Sequence, residues 1–351
     1  MLGDRRDVVQ LAPAARARAR PGVRRAPRGR PPGGHGPLAA LLGPDGAPHA
    51  RPRGAAALAA HPRGDAGPVT VAVVGHVEWV DFLVLPRLPR PGEIVHATGA
   101  HEGPGGGGAM AARALAALTG VATFLCAVGD DARGERTAEG LRAAGIDVRA
   151  AVRAGVAQRR AVAWLTGDGD RSITVVGEDV VPRGDDPLDW PALAGCDGVL
   201  LMAGDAGAVR AARAVPLLVA SPRARGPVVA AGVAVDVLVG SAVDPLEAID
   251  DELLAAARPR HVVRTEGAAG GSWRAADGTT GRWVATPPPG ARVDDYGCGD
   301  AFAAALTAAL AAGRPIADAC ALAARVGAAL LCQRAPAVGG LGALWVAHCG
   351  G

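Results

Sequence analysis

Apolar residues fall into two rhythms along residues 68–345. Short runs at Val69 to Val74, Ala122 to Val128, Val199 to Met202, Val235 to Val239 and His261 to Arg264 are nearly continuous in apolar side chains, as strands buried on both faces are. Between them lie longer Ala- and Leu-rich stretches, Gly107 to Leu118, Ala132 to Ala143, Asp300 to Ala312 and Ile316 to Cys332, which read as helices. Strand and helix alternate, which predicts an α/β layered fold on a mostly parallel sheet. One pair breaks the rhythm. Ala161 to Leu165 and Ser172 to Val176 flank Gly167-Asp168-Gly169-Asp170, a turn-forming sequence expected to close an antiparallel hairpin. Together with the stretch around Phe82 to Leu85, the hairpin is expected to form a β flap near residues 79–98 and 159–177 that projects from the main sheet.

The first 67 residues differ in texture. They are rich in Arg, Pro, Ala and Gly, show no sustained apolar period, and are expected to be disordered. They hold 12 Arg and 4 Asp, a charge of +8, which leaves 25 basic and 30 acidic residues, or −5, for the remainder. A mildly acidic folded part argues against a nucleic-acid groove there. Residues 346–351 read as a tail. The six cysteines form no C-x-x-C pair, so neither a zinc site nor a disulfide framework is suggested, and reduced thiols in a cytoplasm fit best. No apolar run approaches the ~20 residues that span a bilayer, and no partner membrane is expected.

The sharpest local chemistry is Asp294-Asp295-Tyr296-Gly297-Cys298-Gly299-Asp300, directly before an Ala- and Leu-rich helical run. A Gly-x-Gly turn at a helix start leaves backbone N–H groups uncovered at the positive end of the helix dipole, where phosphate oxygens can bind. Asp300 has two readings in that setting: a helix cap, or a base that takes the proton of an attacking hydroxyl.

This segment resembles the signature D-T-x-G-A-G-D-x-F of the ribokinase-like (PfkB-type) carbohydrate kinases, matching at Asp294, Gly297, Gly299, Asp300 and Phe302. A second segment resembles the N-terminal signature of that family: Pro91-Gly92-Glu93, then Gly105-Gly106-Gly107-Gly108-Ala109, then Gly129-Asp130-Asp131 and Gly134. Two signatures in the right order are far more specific than either alone. The resemblance implies a ribokinase-like three-layer fold with a β flap, and an ATP- and Mg²⁺-dependent kinase acting on a hydroxyl of a sugar-like small molecule. It implies Asp300 as general base, with Gly297, Cys298 and Gly299 lending amides to an anion hole. Asp81, Gly105, Gly106 and Met110 would face the substrate, Thr265, Gly267, Gly270 and Arg325 the ATP, and Asp244 the metal through water. A homodimer through the flap is implied as well.

Three places in the chain depart from the family pattern. Met110 stands where an Asn usually contacts substrate, Ser241 and Asp244 replace N-x-x-E, and Arg325 replaces an Asn near the adenine. These departures motivate an alternative, a weakened relative that binds a ligand without turning it over. A dinucleotide-binding oxidoreductase is a further rival, because Gly103 to Gly108 also fits G-x-G-x-x-G. The preceding stretch Val95 to Glu102 is polar and alternating, unlike the buried first strand of that fold.

Overall fold

A computed structural model describes residues 69–167 and 170–349; the expected disorder of residues 1–67 lies outside the described residues. Nine strands form one sheet in the order β13-β12-β11-β10-β9-β8-β1-β4-β5. These are β1 (Val71–Val74), β4 (Thr123–Gly129), β5 (Asp147–Arg153), β8 (Gly198–Leu201), β9 (Leu217–Ala220), β10 (Val237–Ser241), β11 (His261–Thr265), β12 (Gly271–Ala275) and β13 (Thr280–Trp283). From β11 to β5 every pairing is parallel, and only β12 and β13 are added antiparallel at one edge.

Side chains alternate across this sheet and feed two cores. In β1, Val71 and Val73 join a core with the helices α1 (Gly107–Thr119), α2 (Ala132–Ala143), α6 (Cys298–Ala311), α7 (Ile316–Leu330) and α8 (Leu341–Cys349). Ala72 and Val74 point the other way, toward α3 (Ala206–Ala212), α4 (Arg225–Ala231) and α5 (Asp251–Ala257). Burial on both faces explains why the parallel strands read as unbroken apolar runs. α8 crosses position 345, so the expected change from domain to tail falls inside a helix, one that packs Leu341 into the core.

A second sheet of four strands has the order β3-β2-β6-β7, with β2 (Glu78–Leu85), β3 (Gly99–Gly105), β6 (Arg160–Thr166) and β7 (Arg171–Val176). This is the expected flap. Its inner face carries Val80, Phe82, Ala161, Ala163 and Leu165, all in the core, while Trp79, Asp81 and Leu83 alternate to the outer face. The glycine run therefore leaves an antiparallel flap strand, β3, and not a strand of the parallel sheet, which removes the dinucleotide-fold reading.

The chain runs from β1 outward to β5 on one side and from β8 outward to β11 on the other, so β1 and β8 border a switch point, where α/β sheets open a crevice at the strands' C-terminal ends. The turn after β4 braces that crevice. Asp131 accepts N–H groups from Gly134 (2.9 Å) and Gln158 (3.2 Å), while the Gln158 side chain accepts from Gly129 N–H (2.9 Å) and donates to Val77 O (2.9 Å). A methyl group on Gly129 would overlap the Gln158 backbone. Gly129→Ala is expected to cost about 1–3 kcal/mol through overpacking, read as a lower denaturation midpoint with an unchanged slope.

Candidate active site

Asp300 stands in the first turn of α6. The cap of that helix is Gly297, with φ 79° and no side-chain hydrogen bond, so Asp300 is not the N-cap residue, although its place in the first turn still suits the helix dipole. After this left-handed glycine the Cys298 N–H is taken by the Asp295 carbonyl at 3.4 Å, so it is not the free anion-hole donor expected of it, while the Gly299 and Asp300 amides have no backbone hydrogen-bond partner among the described residues. The turn is held from behind by Asp294. Its buried carboxylate accepts N–H groups from Tyr296 and from Ala335, each at 3.0 Å.

Opposite this turn runs the glycine loop between β3 and α1. Tyr296 ties the two together: its hydroxyl accepts the Gly106 N–H at 2.8 Å, and its ring meets Phe82 edge-on at 5.0 Å. Gly105 has no room for a side chain, since a Cβ there would lie 2.7 Å from the Tyr296 hydroxyl. Gly107 is the loop residue nearest the carboxylate; its Cβ would stand 3.0 Å from Asp300 Oδ1. Gly105 and Gly106 are thus joined to Tyr296, and Gly107 is the one brought to Asp300. The Gly107 N–H donates to His76 Nε2 at 3.2 Å. Burial pushes the His76 imidazole down to about 4, so it is neutral and carries its proton on Nδ1.

Asp300 is surrounded by protein and only partly exposed to solvent. Among the described residues its carboxylate has no hydrogen-bond or ion-pair partner. Burial pushes its pKa from 3.8 up to about 7; the Arg171 and Arg223 cations oppose that rise, and the Glu247 and Glu78 carboxylates add to it. Cys298 beside it is pushed up to about 11 by burial, a thiol that fills space and does not ionise at neutral pH.

Several expected site residues fall elsewhere. Asp81 lies on the outer face of the flap, paired with Arg160 at 2.8 Å, because strand alternation turns it away from Val80 and Phe82. The carboxylate on the inner face is Glu78, 6% exposed and 3.0 Å from Arg159. A charged residue amid inward-facing apolar positions of β2 was the available sign of it. Met110 is fully buried beneath Gly297, whose Cβ would lie 2.6 Å from its methyl carbon; it supports the turn and presents no surface to a pocket. Arg325 contacts His348 of α8 at 3.1 Å, away from the Thr265 to Gly270 turn.

On the other flank, β10 and β11 pair Ser241 with Thr265, and the Thr265 carbonyl accepts the Ala242 N–H at 2.8 Å. Gly267 (φ 57°) faces open space, whereas Gly270 is crowded by the end of β13. In the 3-10 turn after β10, Asp244 pairs with Arg223, and Glu247 pairs with Arg223 at 2.8 Å while accepting the Ser241 N–H at 2.6 Å. Glu247, not Asp244, is the acidic group of this turn felt at Asp300. No group of three acidic, His or Cys side chains gathers as a metal cage among the described residues. Two half-buried carboxylates suit a hard ion that keeps most of its water.

Residues 70–201 and 237–339 match the family described as pfkB family carbohydrate kinase. The chain belongs to that family. The carbohydrate kinases that give the family its description are phosphotransferases with an alcohol group as acceptor. An ATP-dependent ribose-1-phosphate kinase of Halopiger xanaduensis is 33% identical over 135 residues, which are 38% of this chain and 45% of that protein, so the match spans less than half of the relative's length. Among solved structures, the Thermotoga maritima ribokinase aligns with a TM-score of 0.65 at 18% identity, over 81% of this chain and all of that one (100%). The Arabidopsis thaliana ribokinase complexed with ribose and ATP aligns with a TM-score of 0.63 at 21% identity, over 79% and 98% of the two chains. The PfkB-family chain therefore has the ribokinase-like fold, a mostly parallel sheet between helices with a second small sheet.

Two expectations follow. Met110→Asn buries an amide with no partner beneath Gly297 and should cost about 1–3 kcal/mol of stability, read by denaturation, without widening the range of sugars accepted. Asp300 binds its proton more tightly folded than unfolded, so stability declines as pH rises from about 4 to about 7. Asp300→Asn should accordingly melt higher than the parent at pH 8 and no higher at pH 3.5, in thermal scans at both pH values.

Proposed function

We propose that the protein moves the γ-phosphoryl group of ATP onto a hydroxyl of a sugar-like substrate, with Asp300 as general base. The observation that carries this reading is a carboxylate without a hydrogen-bond partner among the described residues, raised to about 7, in the first turn of a helix whose Gly299 and Asp300 amides likewise have no backbone partner. A base with its pKa near the working pH combines proton affinity with a useful ionised fraction. The substrate hydroxyl would lie between Asp300 and the glycine loop, with Glu78 as a hydrogen-bond acceptor for a second hydroxyl. These amides of Gly299 and Asp300, at the positive end of α6, would hold the transferring phosphoryl. Thr265 and the open backbone at Gly267 fit the ATP side, and Gly270 keeps that turn in place against β13.

Glu247 and Asp244 are the residues that would hold Mg²⁺, chiefly through water; when bound, the ion neutralises charge on the phosphates. Arg223, bonded to both carboxylates, would keep them paired until the nucleotide arrives. The inner face of β7, with Ile173 and Val175 half-exposed beside the cleft, would exclude water as the flap closes. The outer face, with Leu83, Val162 and Trp164 partly exposed, would be the contact of a homodimer.

The name of the Halopiger xanaduensis relative adds phosphorylated pentoses to the acceptors worth testing. ADP release with Mg-ATP should be measured against sugars, sugar phosphates and nucleosides. Turnover is expected with at least one of them, and Asp300→Asn should lose about 10²- to 10⁴-fold in kcat. Thermal shifts with no ADP release from any acceptor would instead favour a ligand-binding relative that has lost activity.

A further inference from the structure

Four charged side chains join the edge of the flap to the turn that starts α6. Arg171, the first residue of β7, lies 2.6 Å from the Asp295 carboxylate and donates to the Asp295 carbonyl at 3.1 Å. Arg292 pairs with Asp170 at 3.0 Å and lies 3.7 Å from Asp295. Charges alternate around this group, two residues coming from the flap and two from the chain before α6. The Asp295 carbonyl also accepts the Cys298 N–H at 3.4 Å, the first amide of the helix. One peptide group is thus held from the flap by Arg171 and leads directly into the turn that presents Asp300.

The strand bearing Arg171 is an edge strand, paired on one side only, to β6. β7 is exposed at every residue, including Ile173 (45%) and Val175 (44%) on the face that looks toward the site. Partly exposed ion pairs are individually weak. Such a clasp biases the flap toward its seat without locking it there.

We propose that Arg171 is a positioning residue of the phosphoryl transfer: by bridging the flap edge to Asp295, it couples closure of the flap to the shape of the turn that presents Asp300 and the α6 amides. The proposal rests on Asp300 as the base. Arg171 also bears on the charge state of that base. Facing Asp300 are Arg171 from β7, Glu78 from β2, His76 after β1, Arg223 and Glu247 from two 3-10 turns, and Tyr296 and Cys298 from its own loop. With Arg171 gone, two carboxylates are opposed by Arg223 alone, so Asp300 should keep its proton to higher pH.

The test combines hydrogen–deuterium exchange of the protein without substrate with the pH profile of kcat/KM, in the parent, Arg171→Ala, Arg171→Lys and Asp295→Asn. Arg171→Ala and Asp295→Asn should each raise exchange about two- to fivefold in both 171–176 and 293–299. Arg171→Ala should also move the acid limb of the profile to higher pH, and Arg171→Lys, which keeps the charge, should return it toward the parent. Faster exchange confined to 171–176 in both variants would overturn the coupling, as would an acid limb that stays in place in Arg171→Ala. If Arg171→Ala does not fold, Asp295→Asn alone decides the exchange result. An Asp300→Asn variant that turns over like the parent removes the base assignment, and exchange, read without turnover, still reports on the clasp separately.

Discussion

The site depends on a close approach of bare backbone. At the C-terminal ends of β1 and β8, the glycine loop that leads into α1 and the glycine turn that leads into α6 come together with almost no side chains between them. A Cβ on Gly105 would strike the Tyr296 hydroxyl, one on Gly297 would strike Met110, and one on Gly107 would crowd Asp300. Gly106 and Gly297 also sit at positive φ, 86° and 79°, where L side chains are strained. Substitution at these positions would push the two helix starts apart, and with them the carboxylate and the amides that give the cleft its chemistry.

Burial of Asp300 is the second consequence of that approach. A carboxylate drawn out of water with no partner is destabilising for the fold, and its raised pKa expresses that cost. The surrounding charges are mixed, two cations against two carboxylates, so the group is neither locked in its ionised form nor held as a neutral acid. Sites that trade stability for a poised group are common where catalysis occurs. Here the cations come from different elements, Arg171 from the flap and Arg223 from the 3-10 turn after β9. Any movement of the flap would therefore change the electrostatics at Asp300.

Much of the architecture was legible in the chain because the local patterns were strong. β1, α1, β4, α2 and the flap hairpin lie within two residues of where apolar rhythm and turn chemistry put them. Shorter pieces gave too few residues for a period to show, as in β9, four residues long, and α3, α4 and α5, each of seven. β10 begins two residues later than its apolar run suggests. Asp236, inside that run, turns its carboxylate to the Leu218 N–H and to Arg213, and the ladder starts only at Val237.

What the sequence by itself determined was the family, the βα order and the pair of glycine segments with Asp300 directly after the second, since each is a local pattern or a motif of fixed spacing. Only the tertiary structure decided which side chains join Asp300. Asp81 and Glu78 are three residues apart and alike in charge, yet strand alternation sends one outward and the other in. Met110 and Arg325 occupy helix faces that turn toward packing partners, Gly297 and α8, and not toward the cleft. Arg171, Arg223 and Glu247 reach the site from elements separated in the chain and adjacent only through the order of the strands. Spacing along a chain carries the first kind of information, whereas the direction of a side chain depends on pairing and packing that form only when the whole domain folds.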